Sequence, residues 1–191
     1  MGLLLASASP RRRQLLLTAG VPLIGVTPAN ILEVPAPGEG ALAYCRRLAR
    51  EKALAAVVGE HAVLAADTVV HRDDRLFEKP LDDEDAARIL RALSGGWHRV
   101  ATAFCLRSGP GRVLCLRQIT TRVRFRALDE AGVQAYIASG EGRDKAGAYG
   151  IQGLGAALVD RVVGCHTNVV GLPLPAVLAA LSRHGLRPAT P

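Results

Sequence analysis

Residues 3–17 constrain this chain more tightly than any other stretch. An apolar run, Leu3-Leu4-Leu5-Ala6, gives way to Ser7-Ala8-Ser9, then to Pro10-Arg11-Arg12-Arg13 and the apolar Leu15-Leu16-Leu17. The pattern predicts a strand, a tight turn and a helix. Ser9 is its N-cap and Pro10 its first residue, where a missing N–H costs nothing. Three arginines in that first turn oppose the helix dipole, by about a few tenths of a kcal/mol each. A bound anion would reverse the sign, because free backbone N–H groups, two serines and guanidinium forks together suit phosphate. The other reading is a solvated basic helix start whose long side chains bend outward. Taken alone, the segment leaves both open.

With 191 residues, 49% of them hydrophobic and 21% charged, the chain can bury a sizeable core as one domain over 1–191. That composition excludes a disordered protein. Mean hydropathy is positive at +0.20, but no stretch of about 18 apolar residues occurs. The greasiest segment, 169–181, is broken by Gly171, Pro173 and Pro175. Arginines by position 11 leave no room for the apolar region of a secretory leader. The expected protein is therefore cytoplasmic, with no membrane partner. Cys45, Cys105, Cys115 and Cys165 lack metal-ligand spacing and read as buried free thiols. The net charge of +7 permits nucleic-acid binding. However, the one Trp, three Tyr and three Phe include none inside a basic run, so no stable nucleic-acid complex is expected. An excess made mostly of arginine suits small phosphate-bearing molecules equally well.

Hydrophobic periodicity then gives a strand near 23–27, a Pro/Gly loop over 28–40 carrying Glu33, and a helix over about 41–58. On that helix Lys52 shares a face with Cys45 and Leu48, so it points toward the core side, to snorkel or to line a cleft. A short apolar strand over 61–66 ends at Asp67, and a hairpin over 69–77 turns at Asp73-Asp74. A helix over 83–93 is capped by Asp82. Long strands span 98–107 and 113–125, with Arg117 and Thr121 making one end of the second strand's apolar face wet. A helix over 129–139, a glycine-rich segment over 140–155, a strand over 157–163 and a helix over 173–184 complete the chain. The mixture is α/β (mixed α+β), built around a mixed sheet.

Two constellations carry chemistry. An aspartate ending an apolar strand, Asp67, either caps a turn or sits at a sheet edge, where it can hold a hard cation or orient water. Glu78-Lys79-Pro80 follows after a returning hairpin and could bring an ammonium to the same place. A carboxylate with a lysine is the minimum set for metal-assisted attack on a phosphate. The segment 144–155, with glycines at 147, 150, 153 and 155, is either a flexible loop or a ligand loop in which Gln152 reads a base edge. It matches neither the phosphate-loop pattern nor GxGxxG. Arg46, Arg47 and Arg50 read as largely solvated, and the histidines form no nucleophile–base motif.

These segments together resemble the Maf family of nucleoside triphosphate pyrophosphatases, once described as septum-formation inhibitors. The blocks that match are SASPRRRQLL at 7–16, RLAREKA at 47–53, ADTVV at 66–70, EKP at 78–80, DKAGAYGIQG at 144–153 and NVVGLPL at 168–174. The resemblance implies an elongated mixed sheet flanked by helices, with two lobes around a cleft, as in inosine triphosphate pyrophosphatases. It implies cleavage of a nucleoside triphosphate between its α and β phosphates, with Mg²⁺ (or Mn²⁺), by a homodimer. Carried over by position, Asp67 is the proton acceptor that activates water, and Glu33 joins it in holding the metal. Lys52 and Lys79 complete the catalytic set, while Ser9, Arg12 and Lys145 hold phosphates, Lys145 with Asp144 on the other cleft wall. The combination Arg11, Thr68 and Gln152 resembles the branch acting on dTTP and UTP. Gly142-Arg143 and His166 depart from the family's usual residues. A competing reading keeps the same ligand without turnover, as a nucleotide-binding regulator of cell division.

Overall fold

The computed structural model describes residues 2–56 and 59–186. Seven strands form one mixed sheet in the order β2 (Leu23–Val26), β1 (Leu3–Leu5), β3 (Ala62–Arg72), β5 (Trp97–Arg107), β6 (Val113–Phe125), β7 (Val159–Val163), with β4 (Arg75–Phe77) pairing β3. The strands β1, β2 and β3 run parallel, and every other pairing is antiparallel.

The change of direction happens on β3. One edge pairs with β5 from Val63 to His71. The other edge pairs with β1 over Ala62–Leu64, then with β4 over Val70–Arg72. Between those two partners, Ala65–Val69 meets no strand on that side among the described residues, and the sheet opens. Open α/β sheets bind ligands at such switch points.

Helices cover both faces. The long helix α2 (Ala41–Ala55) lies on one face through Tyr44, Cys45, Leu48 and Ala49, packed on Val69, Ala101 and Ala103. Alanines on both sides let helix and sheet approach closely, and the buried Cys45 thiol accepts from Ala103 N–H at 3.3 Å. The other face carries two separate cores. Helices α1 (Pro10–Thr18) and α6 (Leu174–Arg183) cover Leu3, Leu5, Leu64, Phe104 and Leu106. Helices α3 (Asp83–Leu93) and α4 (Glu130–Ala138) cover Val70, Val100, Val123 and Phe125. The two cores are the two lobes, and the opened stretch of β3 lies between them.

The structure corrects several local expectations. Asp67 does not end a strand, because β3 runs unbroken from Ala62 to Arg72, held along its other edge by β5. One end of β6 is partly exposed as expected, with Arg117 exposed, but Thr121 is fully buried, its hydroxyl bonded to Cys165 and Asn168. The helix expected to reach 58 ends at Ala55, and residues 57 and 58 lie outside the described residues. A five-residue helix α5, His166–Val170, was not anticipated. The glycine-rich segment winds into two 3₁₀ turns, Ala146–Ala148 and Gly153–Leu158. Among the described residues no helix is long and apolar enough to cross a membrane.

Candidate active site

At the opening of the sheet, three charged side chains converge from three elements. Asp67 projects from β3 and Lys52 from the last turn of α2, 6% and 9% exposed respectively. Lys52 Nζ donates to Asp67 Oδ1 at 2.7 Å, and Glu33 Oε1, on the loop after β2, lies 2.9 Å from the same ammonium. Burial raises the Asp67 pKa above the ordinary carboxylate value; Lys52 and Arg12 pull it back only in part. A carboxylate that resists losing its proton in this way is suited to accept one from a reacting water.

Arg12 completes the wall. Ser9 caps α1 as expected, its Oγ accepting from Arg12 N–H at 3.4 Å. That cap turns the third helical residue, Arg12, inward. Arg12 Nε donates to the Gly171 carbonyl at 2.8 Å, Nη1 to Ser7 Oγ at 3.0 Å and Nη2 to Thr68 Oγ1 at 3.0 Å. Burial lowers the Arg12 pKa, with Asp67 acting in the opposite direction. Three of the five N–H groups of the guanidinium are thus engaged by protein, leaving two directed elsewhere. The neighbouring arginines diverge. Arg11 reaches Asp144 Oδ2 at 3.5 Å across the cleft, while Arg13 is exposed.

The facing wall is made of loops. Lys145 Nζ donates to Asp144 Oδ1 at 2.6 Å and also to the Glu141 carbonyl. Burial pushes Asp144 upward, but Lys145 and Arg11 outweigh it and leave the carboxyl below its usual range. Glu141 accepts from Leu154 N–H at 2.9 Å and Gly155 N–H at 3.1 Å, fixing the backbone just after Gln152. Gly147 takes φ +75° against the Val70 side chain, which a Cβ would meet at 3.0 Å. A backbone bond from Gly147 N–H to the Glu78 carbonyl, 3.1 Å, ties this segment to the loop carrying Lys79. Lys79 itself is exposed and makes no ion pair among the described residues.

Between the walls lies a cleft of about 830 Å³, and every residue singled out from the sequence lines it: Ser9, Arg11, Arg12, Glu33, Lys52, Asp67, Thr68, Lys79, Lys145 and Gln152. Its size suits a nucleotide-sized ligand. The Thr68 hydroxyl borders the cleft but is engaged by Arg12 and, at 2.9 Å, by Thr102. Glu33 and Asp67 fit a divalent cation that keeps phosphate and water ligands, since Mg²⁺ takes one or two carboxylate oxygens in such sites. Among the described residues no group of three or more His, Cys, Asp or Glu gathers into an all-protein cage.

Sequence reasoning missed two supports. Arg47 grips Glu39 through two bonds, of 2.8 and 2.7 Å, and donates to the Val34 carbonyl at 2.9 Å, so it anchors the loop bearing Glu33. Its signal was the Glu39/Arg47/Glu51 spacing, which places Glu51 one turn along α2. Glu141 offered a weaker signal, an acid opening a glycine-rich segment whose backbone donors need partners.

The family described as Maf-like protein matches residues 2–184. The dTTP/UTP pyrophosphatase of Anaeromyxobacter sp. (strain Fw109-5) is 51% identical over 186 residues, covering 96% of this chain and 89% of that protein. The dTTP/UTP pyrophosphatase of Alcanivorax borkumensis is 48% identical over 177 residues, 91% of each chain. Among solved structures, a HAM1 protein from Coxiella burnetii covers 96% of this chain and 99% of its own at a TM-score of 0.51 and 14% identity, a likeness of fold.

Proposed function

The chain belongs to the Maf family, and from that premise we propose that it hydrolyses dTTP and UTP to the monophosphate and pyrophosphate. The observation that carries this reading is the buried Asp67 beside Lys52 at 2.7 Å, with Arg12 fixed next to them in a cleft of nucleotide size. Phosphoryl transfer needs positioning and charge neutralisation more than covalent chemistry from the protein. A pure nucleotide binder gains nothing from a carboxylate held above its normal pKa in contact with the ligand space.

In this reading the water oxygen bonds to the α-phosphorus, the α–β bridging bond breaks, and pyrophosphate leaves with the bridging oxygen. Asp67 accepts the proton released by the water. Arg12 presents its two remaining N–H groups to phosphate oxygens, and Ser9, at the start of α1, adds the helix N-terminus. Lys52 steadies Asp67 and Glu33 while offsetting charge in the transition state; Lys79 and Lys145 flank the outgoing phosphates. Glu33 and Asp67 would hold Mg²⁺, whose chemistry when bound is neutralisation of phosphate charge and acidification of water. Toward the base, Arg11 and Gln152 supply the guanidinium and amide partners that a pyrimidine edge requires, and Thr68 stands behind Arg12. The four free cysteines accord with a reducing, cytoplasmic setting.

The test is product analysis in ¹⁸O-labelled water with Mg²⁺. UTP and dTTP are expected to yield labelled monophosphate and unlabelled pyrophosphate, and chelation is expected to stop turnover until Mg²⁺ returns. Nucleoside diphosphate with orthophosphate, label in the pyrophosphate, or unchanged nucleotide would overturn the reading. Binding without turnover would favour the regulator.

A further inference from the structure

We infer that Thr102, a residue that does not line the cleft, is a positioning residue that sets the phosphate-gripping orientation of Arg12 by way of Thr68. The inference rests on the reading of Arg12 as a phosphate ligand. Thr102 is fully buried on β5, directly opposite Thr68 in the β3–β5 register. The two hydroxyl oxygens lie 2.9 Å apart. Behind them, Thr102 Oγ1 donates to the Asn168 carbonyl at 2.9 Å; in front, Arg12 Nη2 donates to Thr68 Oγ1 at 3.0 Å.

The two ends of this chain fix its direction. A carbonyl only accepts and a guanidinium only donates. The single Thr102 proton therefore points at Asn168, the Thr68 proton points at Thr102, and a Thr68 lone pair is left facing Arg12. Asn168 is immobilised in turn: fully buried, its Nδ2 donates to the Val100 carbonyl at 2.8 Å and to Thr121 Oγ1 at 3.1 Å. A run of hydroxyls aligned in one sense polarises each member and strengthens the last bond, the one to the cation.

Removing the middle member redirects the rest. With valine at 102, the remaining acceptor for the Thr68 proton is the Gly171 carbonyl at 3.5 Å, which already accepts from Arg12 Nε at 2.8 Å. Thr68 would then compete with Arg12 instead of supporting it. A guanidinium released by even a small rotation loses the two-point alignment that phosphate recognition demands.

The experiment measures binding of inorganic tripolyphosphate by calorimetry, together with kcat and KM for UTP, in wild type, Thr102→Val and Thr102→Ser. Thr102→Val is expected to weaken tripolyphosphate binding and raise KM about tenfold, the scale of one lost charge-assisted bond. Thr102→Ser, which keeps the hydroxyl, should behave as wild type. In an Arg12→Lys background, Thr102→Val should cost nothing further. Wild-type affinity in Thr102→Val, equal losses in the valine and serine variants, or an undiminished loss without Arg12 would overturn the inference. Thr102→Ala takes the place of the valine variant should that one fail to fold. A wild type that binds no tripolyphosphate and hydrolyses no UTP would instead remove the reading of Arg12, and this inference with it.

Discussion

The two walls of the cleft are built in opposite ways. On one, Asp67, Lys52 and Arg12 rise from a strand and two helices, bonded to one another or to buried partners. On the other wall and the rim, Glu33, Lys79, Asp144 and Gln152 sit on loops and are exposed. The contrast separates two tasks. Groups that act on a reacting phosphorus need placement to a fraction of an ångström, which regular elements with buried supports provide. Groups that hold a hydrated cation, flank outgoing phosphates or face the base, as proposed for Glu33, Lys79 and Gln152, need less exact placement and can sit on loops, where sequence changes leave the sheet undisturbed.

If that division is right, the largest effect belongs to the buried wall. Asp67→Asn should cut turnover by about 10²-fold or more without lowering the melting temperature at neutral pH. The sign follows from burial: an acid whose folded pKa is raised favours the folded state while protonated. Its contribution is complete below the ordinary aspartate pKa and is lost as pH rises through the raised value. The amide escapes that loss, so melting curves of the two proteins across pH should diverge upward from the carboxylate range. For the same reason the acid limb of kcat/KM in the wild type should lie above the range of an ordinary aspartate.

Lys52→Met comes next, at about 10- to 10²-fold, comparable to losing other positioned electrostatic groups. Lys52 is one of the two cations that lower the Asp67 pKa, so its removal should also move that acid limb to higher pH. An unmoved limb would show that Lys52 does not act on Asp67. Arg47→Ala tests the boundary between the walls, because it frees the Glu33 loop while leaving the buried set alone. We expect about a tenfold rise in the Mg²⁺ concentration needed for half-maximal activity, the scale of a lost supporting contact to a metal ligand.

The smallest effect falls outside the chemistry. His98 is buried against Phe125 and Tyr149, with Nε2 2.8 Å from the tyrosine oxygen. Burial, with Arg72 and His71 adding to it, depresses its pKa to about 3. A depressed histidine contributes stability above its ordinary pKa of 6.5, lost as pH falls toward about 3, at up to about 1.4 kcal/mol per pH unit for one proton. His98→Gln should flatten the acid side of the melting curve and leave neutral-pH turnover unchanged.

What the sequence disclosed follows the same division. The Ser9 cap and Pro10 identified the start of α1 from local chemistry alone, and the helical spacing of Cys45, Leu48 and Lys52 turned that lysine inward. The position of Asp67 was legible as a cleft but not as the middle of a strand. Its neighbours β1 and β4 are far apart in sequence, and no local signal shows where one stops pairing and the other begins. Thr121 and Thr102 were hidden because a buried hydroxyl looks like an exposed one until its partners across the sheet are known. Helix α5 is five residues long, too short to show a period. The loop supports Glu141 and Arg47 depend on long-range backbone partners that composition does not encode.

The most direct test compares kcat/KM for UTP, dTTP and GTP in wild type, Asp67→Asn and Gln152→Glu. The division of labour predicts that Asp67→Asn lowers all three by one common factor and leaves their ratios intact. Gln152→Glu should instead change the ratios by about tenfold or more, the scale expected when a polar group facing the base is mispaired. A substrate order altered by Asp67→Asn, or a uniform loss in Gln152→Glu, would contradict it.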